Sequence, residues 1–103
     1  MSNDRELLEM AAKAAGFDIQ WQYERPYVGD WLARRWWNPL TDDGDALRLA
    51  VTSGFSIITE PFYVRIHSIK DVFLVREEVL CDGFAATRRA IVRAAAEIGK
   101  AMP

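Results

Sequence analysis

Trp36-Trp37-Asn38-Pro39-Leu40-Thr41-Asp42-Asp43-Gly44-Asp45-Ala46-Leu47-Arg48-Leu49-Ala50-Val51 is the stretch whose reading decides the fold. The Asn-Pro step holds Asn38 in extended backbone, because a proline disfavours the helical region for the residue before it. Trp36-Trp37 therefore ends a strand. Thr41 is the expected helix cap, with Asp42 and Asp43 in the first turn, where the positive end of the helix dipole suits them. Gly44 weakens that turn by about 1 kcal/mol relative to alanine. Ala46, Leu47, Ala50 and Val51 recur at helical spacing and predict the buried stripe, with Arg48 outward. Ser53-Gly54 ends the helix.

Upstream, Asn3 or Asp4 caps a first helix with acidic Asp4, Glu6 and Glu9 near its start. Leu7, Leu8, Ala11, Ala12 and Ala15 form its stripe, and Gly16 closes it. Phe17 to Glu24 alternates apolar and polar, the period of a half-buried strand. Phe17, Ile19, Trp21 and Tyr23 are expected on the core side. Pro26-Tyr27-Val28-Gly29-Asp30 reads as the turn, and Trp31 to Trp37 as the returning strand.

Downstream, Phe55 to Thr59 reads as a strand interrupted by Glu60-Pro61. Phe62 to Ile69 alternates, with Phe62, Val64 and Ile66 on one face and Tyr63, Arg65 and His67 on the other. Lys70-Asp71 is the turn. Val72 to Arg76 is the last strand, expected to be buried on both faces. A long helix runs from about Phe84 to Ala101, with Phe84, Thr87, Ile91, Ala94, Ala95, Ile98 and Met102 as its stripe. The order is α-β-β-α-β-β-β-α. Short connections favour antiparallel pairing, so an α+β domain is expected over residues 1–103, with a mostly antiparallel sheet of four to five strands covered by three helices.

The totals narrow the function classes. The 103 residues suit one domain, half of them apolar and 27% charged, which is a globular composition. The net charge is −2, against the basic excess usual in a nucleic-acid binder. The lone Cys81 excludes an intramolecular disulfide and fits a reducing compartment. The polar start Met1-Ser2-Asn3-Asp4 is no signal peptide, and no apolar run suits a membrane span. The expectation is a soluble intracellular protein.

Three segments resemble the phage ABA-sandwich family of small bacteriophage- and prophage-encoded proteins. They are Asp4 to Gly16, Trp37 to Ala46, and Ala86 to Gly99. The middle strands, Phe55 to Val79, follow no pattern of that family. The resemblance implies a three-layer α/β/α sandwich, a phage origin and hence the cytoplasm of a bacterial host. It supplies no catalytic residues.

Several groups invite chemistry. Thr41-Asp42-Asp43-Gly44-Asp45 places three carboxylates near a glycine. A calcium loop spreads its ligands over about twelve residues and ends on a bidentate Glu, whereas Leu47, Leu49 and Val51 fill the later positions here. The acids read instead as a helix start. His67 and Cys81 offer a base and a nucleophile, but nothing orients either. Neither a metal, a cofactor nor a catalytic residue is therefore expected.

The four tryptophans are many for this length. Adjacent Trp36 and Trp37 must point to opposite sides of a strand. With Tyr23, Tyr27, Arg34 and Arg35 the tryptophans offer an aromatic-basic contact surface; the competing reading is that all four are core, as the place of Trp21 on the apolar face of its strand suggests. Arg88, Arg89 and Arg93 form either a basic patch on the last helix for an acidic partner or a solvated face partly paired to Glu97. The expected function is non-enzymatic binding of a host bacterial protein, including inhibition of a defence system such as CRISPR, through Tyr27, Trp31, Arg34, Arg35, Trp36, Arg89 and Arg93. The alternative is nucleic-acid or nucleotide binding through the arginines. A homodimer through a sheet edge is a further expectation.

Overall fold

The computed structural model describes residues 3–29 and 34–103. Its elements are α1 (Asp4–Ala15), β1 (Ile19–Gln22), β2 (Arg25–Val28), β3 (Arg35–Trp36), α2 (Asp43–Ser53), β4 (Ser56–Thr59), β5 (Tyr63–His67), β6 (Phe73–Glu78) and α3 (Gly83–Ala101). The α+β class, the three helices and the antiparallel pairing agree with the sequence. The single sheet does not. Two three-stranded antiparallel sheets form, β1-β2-β3 and β4-β5-β6, and the order is α-β-β-β-α-β-β-β-α.

The extra strand comes from an early turn. Tyr23 and Glu24 both adopt positive φ, 51° and 65°, and close a two-residue hairpin that pairs Gln22 with Arg25. Left-handed backbone at both central residues is the turn whose twist suits a hairpin, and it normally asks for Asn or Gly. Tyr-Glu gives no such signal, so the turn expected at Pro26 to Asp30 is misplaced and Tyr23 is exposed rather than core-facing. Pro26 lies within β2. Its carbonyl accepts the Trp37 N–H at 3.0 Å, but it has no N–H to return, and β3 ends at Trp36 beside it.

Helix α3 is the spine. It packs on α1, α2, β5 and β6, so its buried residues run round most of its circumference: Ala86, Ala90, Ile91, Val92, Ala94, Ala95, Ala96 and Gly99. The expected single stripe is correspondingly too narrow, and its ends, Phe84 and Met102, are exposed. Small residues let α1 come close. Ala11 and Ala12 of α1 are fully buried, and a Cβ added to Gly99 would lie 2.0 Å from the Met10 carbonyl oxygen. Asn3 caps α1 through the Glu6 N–H, and Gly16 ends it at φ 77°.

Helix α2 is rotated from expectation. Ala46, Leu49 and Ala50 are buried together with Asp45, while Leu47 and Val51 are 60% and 73% exposed. The Asp45 carboxylate is held on the inner face beside Ala46, and Leu47 and Val51 turn outward as a result. In the second sheet, β4, β5 and β6 are shorter or shifted versions of the expected strands. β6 extends to Glu78, and instead of being buried on both faces it buries only Val75. Among the described residues, no helix is long and apolar enough to cross a membrane.

The α1–α3 contact predicts a sharp contrast. Gly99→Ala must push two backbones apart and should cost about 3 kcal/mol, as overpacking against a rigid neighbour does. Gly83, whose added Cβ meets nothing within 4 Å, should accept alanine within about 0.5 kcal/mol. Urea unfolding followed by far-ultraviolet circular dichroism measures both; equal midpoints would refute the close-contact account.

Candidate partner-binding site

The site grows from the start of α2. Asn38 accepts the Leu40 N–H on its side chain at 3.0 Å, and its carbonyl accepts the N–H groups of Thr41 and Asp42. That turn consumes Thr41, so the cap falls on Asp42, not Thr41. The Asp42 carboxylate accepts the Asp45 N–H at 2.8 Å, and Asp43 and Asp45 are the acids of the first turn.

Asp45 is the pin. One carboxylate oxygen accepts from Arg35 Nη1 and from Arg48 Nη2, each at 3.0 Å. The other accepts the Asn38 backbone N–H at 3.0 Å. The residue is 5% exposed. A carboxylate this buried is costly unless its lone pairs are filled, and here three donors fill them. Burial pushes the carboxyl pKa up, but the Asn38, Arg48 and Arg35 hydrogen bonds and the Arg35 charge outweigh it, and Asp45 stays below its ordinary value. The result ties β3 to α2.

Pinned beside Asp45, the hairpin displays an interleaved row. Tyr27 and Trp36 are cross-strand partners and meet edge-to-face, with centroids 5.8 Å apart. The Arg25 guanidinium lies 4.1 Å over the Trp36 ring, and that of Arg34 lies 4.9 Å over Tyr27. Arg34 also donates to the Tyr27 hydroxyl at 3.4 Å. Trp36 keeps 47% of its surface exposed. Its neighbour Trp37 turns inward to 1% and packs edge-on against Phe17. The pair splits as the two-residue period of extended backbone requires. A cleft of about 410 Å³ opens beside the row. Its charged lining, Arg25, Arg35 and Arg48 against Glu24, Asp42 and Asp45, is balanced.

Of the seven expected contact residues, Tyr27, Arg34, Arg35 and Trp36 come together here. Trp31 lies outside the described residues. Arg89 and Arg93 lie elsewhere, on α3. Arg89 donates to Asp4 at 3.2 Å and Arg93 donates to Glu77. Arg88 bonds the Leu40 carbonyl and Asp43. The expected basic patch is thus a set of ion pairs joining α3 to three different elements.

Arg25 and Arg48 belong to the site though no sequence signal marks them, and Asp45 enters it as an ion-pair centre rather than as one more helix-start acid. Arg25 becomes visible once the turn is placed at Tyr23-Glu24, which sets it two residues from Tyr27 on the same strand face. Asp45 reads like any first-turn acid, and no spacing signal distinguishes it.

The other chemistry-bearing groups are separate. His67 and Cys81 stand at opposite ends of the β5–β6 pair, since His67 faces Phe73 and Tyr63 faces Glu78. Four residues of strand between them is about 13 Å. Asp42 is a cap, Asp43 holds Arg88 and Asp45 holds two arginines. Trp21 is half-buried, with the Arg5 guanidinium 4.5 Å over its ring.

No family model, curated protein or solved structure matches the chain.

Because the Asp45 pKa is lower in the folded state, Asp45 adds stability that is full above its ordinary value of 3.8. That stability is lost as pH falls through the lower folded-state value. Asp45→Asn should therefore be less stable than the parent at pH 7, by about 2 kcal/mol for a buried partner removed. The gap should shrink below pH 3. Thermal melts at the two pH values measure it; a gap that widens in acid would contradict the assignment.

Proposed function

We propose that this chain is a non-catalytic, phage- or prophage-encoded binding protein that grips a bacterial host protein through the Arg25–Trp36–Tyr27–Arg34 row. The observation that carries the reading is a half-exposed Trp36 held between Arg25 and Tyr27. Trp, Tyr and Arg are the residue types that dominate interface energetics. Here they are ordered by each other before any partner arrives, so little side-chain entropy remains to be lost on binding. The phage origin is supported by the residue resemblance in Asp4 to Gly16, Trp37 to Ala46 and Ala86 to Gly99. A host-defence factor, a CRISPR effector included, is the target class which that origin suggests.

The non-catalytic reading is supported by the carboxylates. Asp42 and Asp45 beside the cleft are engaged as a helix cap and an ion-pair centre. The nucleic-acid alternative draws little support from α3, because Arg88, Arg89 and Arg93 are each paired to a carboxylate.

The test is capture from bacterial lysate with the tagged chain and its variants. Trp36→Ala should abolish capture and Arg25→Ala should weaken it at least about tenfold, as loss of a hot-spot contact does. Both variants should melt within a few degrees of the parent. Trp37→Ala should instead destabilise by about 4 kcal/mol, the cost of emptying a core aromatic site. Capture that Trp36→Ala leaves intact would remove the site. Capture lost on nuclease treatment or at high salt would transfer the reading to nucleic acid.

A further inference from the structure

A second surface lies on the other sheet. In the order β4-β5-β6, strand β4 has one side unpaired among the described residues. Which backbone groups face outward follows from the hairpin. The Glu60 N–H donates to the Tyr63 carbonyl at 2.8 Å, and Ile58 stands opposite Arg65 and Thr59 opposite Val64. Antiparallel ladders alternate hydrogen-bonded and non-hydrogen-bonded pairs. Ser56 and Ile58 therefore exchange bonds with β5, while Ile57 and Thr59 turn their N–H and C=O away from it. The other edge agrees, since the Val79 N–H donates to the Phe62 carbonyl and so directs the backbone groups of Val64 towards β6.

The two edges differ in charge. β6 carries Arg76, Glu77 and Glu78, the kind of residues that block edge-to-edge association. β4 reads Ser-Ile-Ile-Thr, without a charge or a proline. Beside it, Leu47, Ile57, Phe84 and Ile91 line a mostly apolar hollow of about 360 Å³ whose charged members, Asp43 and Arg88, are paired to each other, and Leu47 and Phe84 are 60% and 73% exposed.

We propose that β4 pairs antiparallel with β4 of a second copy of this chain, about a two-fold axis through Ile58. The outward groups dictate that register. Ile57 exchanges both backbone hydrogen bonds with Thr59 of the second copy, and the reverse, while Ile58 faces its own equivalent in a close, non-hydrogen-bonded pair. The two three-stranded sheets become one continuous sheet, and the apolar hollows of the two copies flank the axis. An antiparallel strand pair is self-complementary by symmetry. An uncharged edge gives a charged ligand nothing to be steered by, and Glu60 next to it is already held by Arg65. The second copy therefore fits this surface better than an anionic or cationic partner. The surface shares no residue with the Trp36 row and does not depend on it.

Hydrogen exchange of the full chain, read amide by amide across about three decades of dilution, tests the register directly. The Ile57 and Thr59 amides should be protected at high concentration and exchange at least about tenfold faster when dilute. The Ser56 and Ile58 amides, bonded within one chain, should change little. Light scattering should give twice the chain mass of 11.7 kDa at the concentrated end. Ile58→Lys, which sets two ammonium groups against each other at the axis, and Thr59→Pro, which removes an outward N–H, should both give the single-chain mass with unchanged circular dichroism. A single-chain mass at every concentration overturns the proposal. So does a dimer whose Ile57 and Thr59 amides ignore dilution, or one that both variants leave intact. If either variant unfolds, the amide pattern of the unaltered chain decides.

Discussion

The closeness of α1 to α3 is the constraint on which the rest of this molecule rests. Glycine at 99 and a run of alanines on both helices allow backbone to meet backbone, with the Met10 carbonyl where a side chain would otherwise be. At that separation α1 can occupy only one face of α3. The other faces are left for α2 and for the β5–β6 pair. A 103-residue chain has little apolar volume to spend. Wrapping three groups of elements around one alanine-rich helix gives a core with few large side chains, in which Trp37, Leu49 and Ile66 fill the remaining gaps.

The first sheet is attached differently. β3 spans only Arg35 and Trp36, too short to hold its place by ladder bonds alone. Two anchors fix it. Trp37 drops into the core against Phe17, and Arg35 reaches the buried Asp45 carboxylate. The same carboxylate receives Arg48 from the next turn of α2. One ionised group thus sets the position of the hairpin, the start of α2 and the rotation of that helix about its axis. The exposure of Trp36 is a consequence, since fixing Trp37 inward leaves its neighbour no other direction.

Where local patterns carried the information, the sequence was readable. Asn3 and Gly16 bound α1 as their chemistry dictates, Gly54 closes α2, and the splitting of Trp36 from Trp37 follows from strand geometry alone. The misreadings have one physical source: tertiary contacts overrode local signals. Tyr23-Glu24 turns without a turn residue because the strands on either side pair well. Leu47 and Val51 lost the core to Asp45 because a carboxylate with three donors can be buried. Phe84 lost its place because α3 is covered on several sides and no single stripe describes it. That Tyr27, Arg34, Arg35 and Trp36 lie together was legible, since they are close in sequence. The pairing of Arg89 and Arg93 was not, since their carboxylate partners lie 85 and 16 residues away in the chain.

The division of labour among the arginines has a further consequence. Arg35 and Arg48 are bound to the carboxylate that shapes the fold, whereas Arg25 and Arg34 lean on aromatic rings at the surface. Exchanging Arg25 or Arg34 alters what the hairpin presents without disturbing what holds it. Exchanging Arg35, Asp45 or Arg48 disturbs both. The exposed face and its fixed mount thus lie together within residues 25–48, so that single substitutions can alter what the surface presents while leaving the ion-pair centre that holds it intact.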